Sequence, residues 1–348
     1  MAEVYTSGGS SVLYGFEAAN AFAGNSPTTD KTFGLNTRVS TLSLTTNRID
    51  FNKLGQVEPH AFGYGQQQGS LSVGFVFDTR TSHAIFGGIY GESSAAGNSG
   101  APHYYPNSAI GENKAPVITK SIATQVQVQM GSNLSTRKLL GGIVNSIGLS
   151  TSIGEAVNGT VDITFGKEVT ATSPAIASGT VTAQASVTGV PLTFAHGTLS
   201  VSNGSSLVAI AEVQGFNITF NQNGELLYGL GSHHAQEKFR RVLEVTGSFT
   251  TTFKDNLLLQ HLLDQAEDYT GSGGVGSGDG KGGIDEDGSN VAASLVLTSA
   301  DDSGKSITID LQGLSFDSHS VTGLEPVEPV MQDLPFKARV ARVKAISA

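Results

Sequence analysis

Four short stretches hold residue types that could do chemistry. "GSGGVG" at 271–276 spells the glycine pattern of a dinucleotide-phosphate loop. That loop needs a strand before it and a helix after it, so that the helix N-terminus meets the pyrophosphate. Here a helix pattern precedes it and an acidic stretch follows, which reads as a linker. "SGKS" at 303–306 matches the end of a phosphate-binding loop, but its first glycine position holds Ser299 and a strand pattern follows. "DGKGGIDEDGS" at 279–289 resembles a calcium loop, yet it lacks the alternating acids, the sixth-position glycine and the closing glutamate. His233-His234 is the densest histidine pair, with no H-E-x-x-H or Cys/His cluster around it. No G-x-S-x-G nucleophile elbow occurs. The sequence therefore predicts no catalytic residue, no cofactor and no metal centre.

The rest of the chain explains what those stretches are embedded in. It has 348 residues, 44 glycines, no cysteine and a net charge of −10. Ser, Thr, Val and Gly dominate, and much of the sequence alternates apolar with polar, the mark of short strands and turns. Without cysteine no disulfide framework can hold the fold, which must rest on packing or assembly. The negative charge argues against a protein that grips nucleic acid, since gripping phosphates needs clustered Lys and Arg. No run approaches the ~18 apolar residues of a membrane-spanning helix. The first residues lack the basic and apolar regions of an export signal, so synthesis in the cytoplasm is expected.

One strand pattern is written three times: "GSLSVGF" at 69–75, "GTVDITF" at 159–165 and "GSFTTTF" at 247–253. The elements around it recur too. An alternating strand, 39–51, leads through a long loop, 52–68, to the first copy. A helix candidate, 78–91, follows, with Asp78 as N-cap. In the second half, 213–227 leads through a long segment to 247–253, followed by a helix over 254–268. Leu54-Gly55 corresponds to Leu230-Gly231. A hairpin, 141–153 with 159–166, closes the first half; "SITIDLQGLSF" (306–316) and "LPFKARVARV" (334–343) close the second. The chain reads as a duplication, 1–170 and 171–348, each half carrying two strand pairs and one helix.

This order of strand, long loop, strand, helix and hairpin resembles the tail tube (major tail) proteins of tailed bacteriophages. The likeness is strongest in "GIVNSIGLSTSIGEAVNGTVDITFG" (142–166) and "LGSHHAQEKFRRVLEVTGSFTTTFKDNLLLQHLL" (230–263). It implies a mainly β fold: two tandem tail-tube-like β-sandwich domains, each flanked by one α-helix. It also implies a structural role in the virion. Subunits stack as rings into a hollow tube that conducts double-stranded DNA, alongside tape-measure, tail terminator and distal tail proteins. A single-domain member makes six-subunit rings; a tandem one, as in some long-tailed siphophages, makes trimeric rings with pseudo-sixfold symmetry. Strands ~4.8 Å apart and tilted ~40° close at a diameter of roughly 48 Å when three chains give eight strands each. Such a 24-stranded barrel passes a duplex, whereas 16 strands, at roughly 32 Å, barely would.

The resemblance also assigns surfaces. Alternation puts Ser70, Ser72, Thr160, Asp162, Thr164, Ser248, Thr250 and Thr252 opposite the apolar residues of their strands, and these would line the bore. The same alternation fits the solvent face of any antiparallel sheet. The long loops, with Leu54, Phe62, Tyr64, Leu226, Leu227, Tyr228, Leu230 and Phe239, would stack ring on ring. Lys337, Arg339 and Arg342 would meet acidic neighbours at a subunit interface. Two other assignments stay open: a ring-forming tail, baseplate or capsid-decoration part, and a β-sandwich adhesin or binding module.

Overall fold

The structure, a computed structural model, describes residues 11–17, 22–23, 31–51, 54, 61–90, 103–104, 121–130, 133–171, 189–202, 207–210, 213–252, 291–299, 305–316, 318, 320–322 and 330–346. Expectations for the helix at 254–268 and for the loops at 92–102, 105–116 and 269–290 lie outside them. The first half carries β1 (Ser11–Phe16), β2 (Leu35–Phe51), β3 (Ala61–Val76), β4 (His103–Tyr104), β5 (Ile122–Met130), β6 (Asn133–Ser152) and β7 (Asn158–Ala171). The second carries β8 (Gly197–Ser202), β9 (Leu207–Ile210), β10 (Val213–Asn221), β11 (Glu225–Leu227), β12 (Glu237–Phe239) and β13 (Glu244–Thr252). It ends with β14 (Val291–Thr298), β15 (Ser306–Phe316), β16 (Ser320–Thr322) and β17 (Met331–Ile346).

Apart from β11 and β12, which pair with each other, these strands form one antiparallel sheet in the order β2-β3-β7-β6-β10-β13-β17-β15-β14-β8-β9, with β5 and then β1 branching from β6, and β4 and β16 pairing β17. The order contains the same ladder twice. In the first half β1 pairs β5, then β6, β7, β3 and β2; in the second β8 pairs β14, then β15, β17, β13 and β10. The two ladders meet where Ser146–Ser152 of β6 pairs with Gly215–Asn221 of β10. The fold is mainly β, as expected. Among the described residues the sheet is open and not a closed barrel.

Long strands turn a corner by exchanging neighbours. β6 pairs β5 up to Gly142 and β10 from Ser146 onward. The corner residue is Gly141, with φ +64°; its counterpart on β15 is Gly313, with φ +61°. That left-handed backbone is costly for residues with a Cβ. Space is also short: a Cβ at Gly313 would come 2.7 Å from the Arg339 Cβ.

The recurring G-to-F strand has a packing cause. Gly69 lies opposite Phe165, Gly159 opposite Phe75 and Gly247 opposite Phe336. Each phenyl ring lies over the glycine facing it, so a Cβ at Gly69, Gly159 or Gly247 would come 2.1, 2.4 or 2.7 Å from ring carbon. The glycine at the head of one strand is the seat for the phenylalanine of its neighbour. The alternation holds as read: Leu71, Val73, Phe75, Phe77, Val161, Ile163, Phe165 and Phe249 are all buried. One cluster of buried apolar side chains runs through both halves.

Two expectations need correction. The segment 52–68 is not all loop: β2 and β3 are long strands, so Phe62 and Tyr64 stand on a projecting β-arm. The helix at 78–91 is shorter than its pattern suggests, a 3₁₀ turn, Ser82–Phe86, followed by one α-helical turn, α1 (Gly87–Tyr90). Its entry is fixed by the buried Asp78, whose Oδ1 accepts the backbone N–H of Arg80 at 2.8 Å. The same oxygen accepts from Thr81 and from Ser82. Consecutive glycines, Gly87-Gly88, press against Phe16, Ile122 and Val144, which leaves no room for side chains there. Ile85, Phe86 and Ile89 are buried, as their spacing implied.

The glycine seats give a direct test. Gly159→Ala is expected to destabilise the chain by about 1–3 kcal/mol, the usual cost of overpacking. Gly74→Ala on the neighbouring strand, where a Cβ meets only the Arg38 side chain at 3.6 Å, is expected to be near neutral. Urea midpoints of the two variants check this.

Candidate assembly surfaces

Eight strands, β2-β3-β7-β6-β10-β13-β17-β15, form a continuous wall in which each half contributes four. The side opposite the core carries hydroxyls and a few acids. Ser70, Thr160 and Asp162 are exposed, while Ser72, Ser248, Thr250 and Thr252 are half-buried. Many are tied sideways along the wall. Ser43 and Ser70 share a hydrogen bond of 2.7 Å between strands. Ser146 donates to Asp162 at 2.7 Å, and Thr250 donates to Asp333 at 3.2 Å. Gln214 Nε2 donates to Thr252 at 3.0 Å. Such pairs hold short side chains flat against the sheet.

Thr164 departs from this set. It is buried and takes a hydrogen bond from Asn145. The reason is a register shift on β6 between Val144 and Ser146, which sets Thr164 opposite the buried Ile143. The segment after β10 then lies over this end of the wall. Gly224 sits against Ile143, and Gly166 sits against Ala235. Alternation within one strand carries no sign of a neighbouring segment folding across it.

Lys337 lies inside the wall with β13 and β15 on its two sides, whereas Arg339 and Arg342 lie past the end of the β13 pairing at Ala338. Lys337 is opposite Thr246 and Ser315, and it forms an ion pair with Glu244 of the same chain. Arg339 is exposed on β17 beyond it. Arg342 is opposite the buried Asp310, which also pairs with Lys344 and accepts from Ser294 at 2.8 Å. Acidic neighbours for Lys337 and Arg342 are thus supplied within the chain.

The β2–β3 arm exposes a run of apolar side chains: Ile49, Phe51, Leu54, Phe62 (54% exposed) and Tyr64 (66%). Arg48 caps one of them, its guanidinium carbon 4.9 Å from the centre of the Phe62 ring. The corresponding segment of the second half, 223–243, is built differently. It folds as a small ribbon of β11 and β12, with Leu227, Leu230, Phe239 and Val242 exposed and Leu226 and Tyr228 partly covered.

The two projections touch. Tyr228 Oη donates to the Gln67 carbonyl at 2.8 Å, and the Gln67 N–H donates to the His233 carbonyl at 2.8 Å. His233 Nδ1 lies 3.1 Å from the Gly65 carbonyl. The second-half ribbon therefore clasps the base of the first-half arm. His233 is thus a contact between the two projections.

Beneath the ribbon sits a charged pair. Glu17 is fully buried and accepts the N–H groups of Gly141 and Ala23 at 2.8 and 3.0 Å. Burial raises its carboxyl above the usual range, and those hydrogen bonds oppose the rise. Burial lowers the Lys238 ammonium to about 8, with Glu17 pulling it up and Arg240 pushing it further down. Sequence reading missed both groups, because neither lies in a motif. Among the described residues no cluster of His, Asp and Glu could hold a metal ion, and no helix is long and apolar enough to cross a membrane.

A family model described as "Phage tail tube protein" matches residues 8–338. Among solved structures, one described as "Tail of empty GTA particle computed with helical refinement, C6 symmetry" contains a chain that aligns at 15% identity. The alignment covers 44% of this chain and 98% of that one, with a TM-score of 0.28. No curated protein matches.

The lowered Lys238 fixes a sign. Between pH 8 and about 10.5 the unfolded chain holds a proton that the folded chain has released, so stability should rise with pH across that window. Below pH 8 both states are protonated and the cost of burial is fully present. Urea midpoints between pH 7.5 and 10.5 should show this rise in the wild type, and Lys238→Met should flatten it.

Proposed function

We propose that this chain, which belongs to the phage tail tube protein family and is a structural protein with no enzymatic role, assembles as three-chain rings. In this reading each ring is pseudo-sixfold, and rings stack into the hollow tail tube of the virion. The two halves, 1–170 and 171–348, take the place of two single-domain subunits. The observation that carries the reading is the repeated ladder, β2-β3-β7-β6 followed by β10-β13-β17-β15, continuous across the β6–β10 joint. Three such eight-strand walls supply the 24 strands that close at roughly 48 Å, wide enough for a duplex of about 20 Å with its hydration.

The hydroxyl-rich face of the wall lines the bore. Ser70, Ser72, Thr160, Asp162, Ser248, Thr250 and Thr252 present neutral or acidic groups, and Lys337 is answered there by Glu244. Such a lining leaves phosphates unclaimed, so DNA slides. The β2–β3 arm and the β11–β12 ribbon stack ring on ring through Leu54, Phe62, Tyr64, Leu227, Leu230 and Phe239, which are exposed in the isolated chain. Tape-measure, terminator and distal tail proteins are the expected partners at the tube's inside and ends.

Negative-stain electron microscopy at rising protein concentration tests this. Hollow filaments with threefold or pseudo-sixfold rings are expected. Replacing Phe62 and Tyr64 with Ser should leave rings but shorten or abolish the stacks. Wild-type rings that close and never stack would point to a baseplate or decoration part. Compact monomers under every condition would overturn the reading.

A further inference from the structure

The joint between the two halves is a template for the contact between two chains. The two ladders can be superposed residue by residue from their corner glycines, Gly141 and Gly313, which share φ values of +64° and +61°. Gly142 pairs with Phe165 just beyond the first corner, and Leu314 with Ala338 just beyond the second. Phe165 and Ala338 are therefore equivalent, and four residues earlier so are Val161 and Leu334, both buried.

Val161 faces Val73, and Leu334 faces Phe249. Carrying the match one strand further pairs Leu42 with Ile218 and Leu44 with Phe220, through Leu71 with Gly247 and Gly69 with Val245. On the other side, Gly148 faces Thr160 and Ser320 faces Asp333, so Gly148 corresponds to Ser320, Leu149 to Val321 and Ser150 to Thr322.

The equivalent residues differ in one respect. Ile218 and Phe220 are fully buried, because β10 has β6 on its outer edge and the Phe86 and Tyr90 rings beneath it. Leu42 is partly buried, and Leu44 is 38% exposed. Among the described residues β2 has one strand neighbour, β3, and β16 has one, β17. The strand that covers β10 thus has a counterpart, β16, at the far end of the same wall, and the strand it covers has a counterpart, β2, at the near end. An unpaired edge of this length invites another chain.

We infer that β16 of one copy pairs antiparallel with β2 of the next, in the register of the internal joint. Within the chain Gly148, Leu149 and Ser150 face Thr219, Ile218 and Asn217. Transferred to two copies, Ser320 faces Ser43, Val321 faces Leu42 and Thr322 faces Thr41. The occupant is a second copy because the chain already builds this contact with itself at the β6–β10 joint. This inference rests on the ring reading above.

The chain has no cysteine, so engineered thiols report without background. The full-length double variant Ser320→Cys, Ser43→Cys, oxidised or bridged by a short bis-maleimide after assembly, should run in denaturing non-reducing gels as dimer and closed trimer, with nothing larger. Directly opposed residues have Cα atoms ~4.5–5.5 Å apart, within disulfide reach. The control Ser320→Cys, Asn47→Cys, four residues out of register, should stay monomeric. As a second variant, Leu44→Asp should keep the wild-type circular dichroism and urea midpoint as a monomer yet fail to assemble.

The outcomes separate the two readings. Tubes that form while the control pair cross-links in place of Ser320–Ser43 overturn the register and leave the tube intact. Tubes with no cross-link at either pair, or with Leu44→Asp assembling normally, overturn the seam. A ladder of covalent species beyond the trimer overturns closure by three chains. No tubes and no cross-links overturn the tube reading and the seam with it.

Discussion

The structure depends on one constraint: an antiparallel edge must find a partner for its main-chain groups. Inside the chain the constraint is met at the β6–β10 joint, where seven successive residues of β6 pair with seven of β10. The longest strand pairing between the two halves lies there. β10 supplies Phe216, Ile218 and Phe220 to the core side. The short helical segment of the first half supplies Phe86, whose ring lies 5.1 Å from that of Phe220, edge to face. Asp78 sets where that segment begins, and Gly87-Gly88 lets it approach β6 closely. A chain of rings, Tyr14, Phe33, Phe75, Phe77, Phe86 and Phe220, then runs from the first strand of the first half into the first wall strand of the second. Aromatic pairs in this geometry add to area burial, ~0.5–1.5 kcal/mol each. The joint is therefore a ladder backed by an aromatic core.

Much of this was legible in the sequence because period-two alternation has one simple cause, a face buried and a face exposed. The recurrence of Gly and Phe at fixed spacing was visible too, but not its meaning. Phe165 covers Gly69, and Phe75 covers Gly159. The string alignment of 69–75 with 247–253 is also two residues out of step with the ladder, in which Val73 corresponds to Phe249. A slip of two keeps every side chain on its proper face, so alternation cannot detect it.

Other features were hidden for physical reasons. The arm read as a loop because Gly63, Gly65 and Gln66 to Gln68 lack strand-forming composition. Its strands are held by their hairpin partner and by the clasp at Gln67, with little burial of their own. The helix was overestimated because Ile85, Phe86 and Ile89 satisfy helical spacing over barely two turns. Thr164 was assigned to an open face because the shift at Val144–Ser146 lies on the opposite strand. Glu17 and Lys238 are brought near one another by the crossing of a distant segment, which leaves no mark in local sequence.

A tandem chain changes the physics of ring closure. In a ring of six identical subunits every contact must form between separate molecules. With two halves on one chain, alternate contacts form intramolecularly, where the partner's effective concentration is set by the linker and not by the solution. In the ring proposed above, two association steps among three chains would replace five among six. In the proposed ring the two kinds of contact would be free to diverge, and the residues assigned to them differ. Phe220 is fully buried at the internal joint, and its counterpart Leu44 is smaller and 38% exposed in the isolated chain. A smaller apolar edge would reduce indiscriminate pairing of the unassembled chain. The clasp of Tyr228 and His233 on the first-half arm works in the same direction, since it holds one projecting element against the other within a chain. In that proposal a strong internal joint and a weaker external edge would let the chain fold first and associate afterwards.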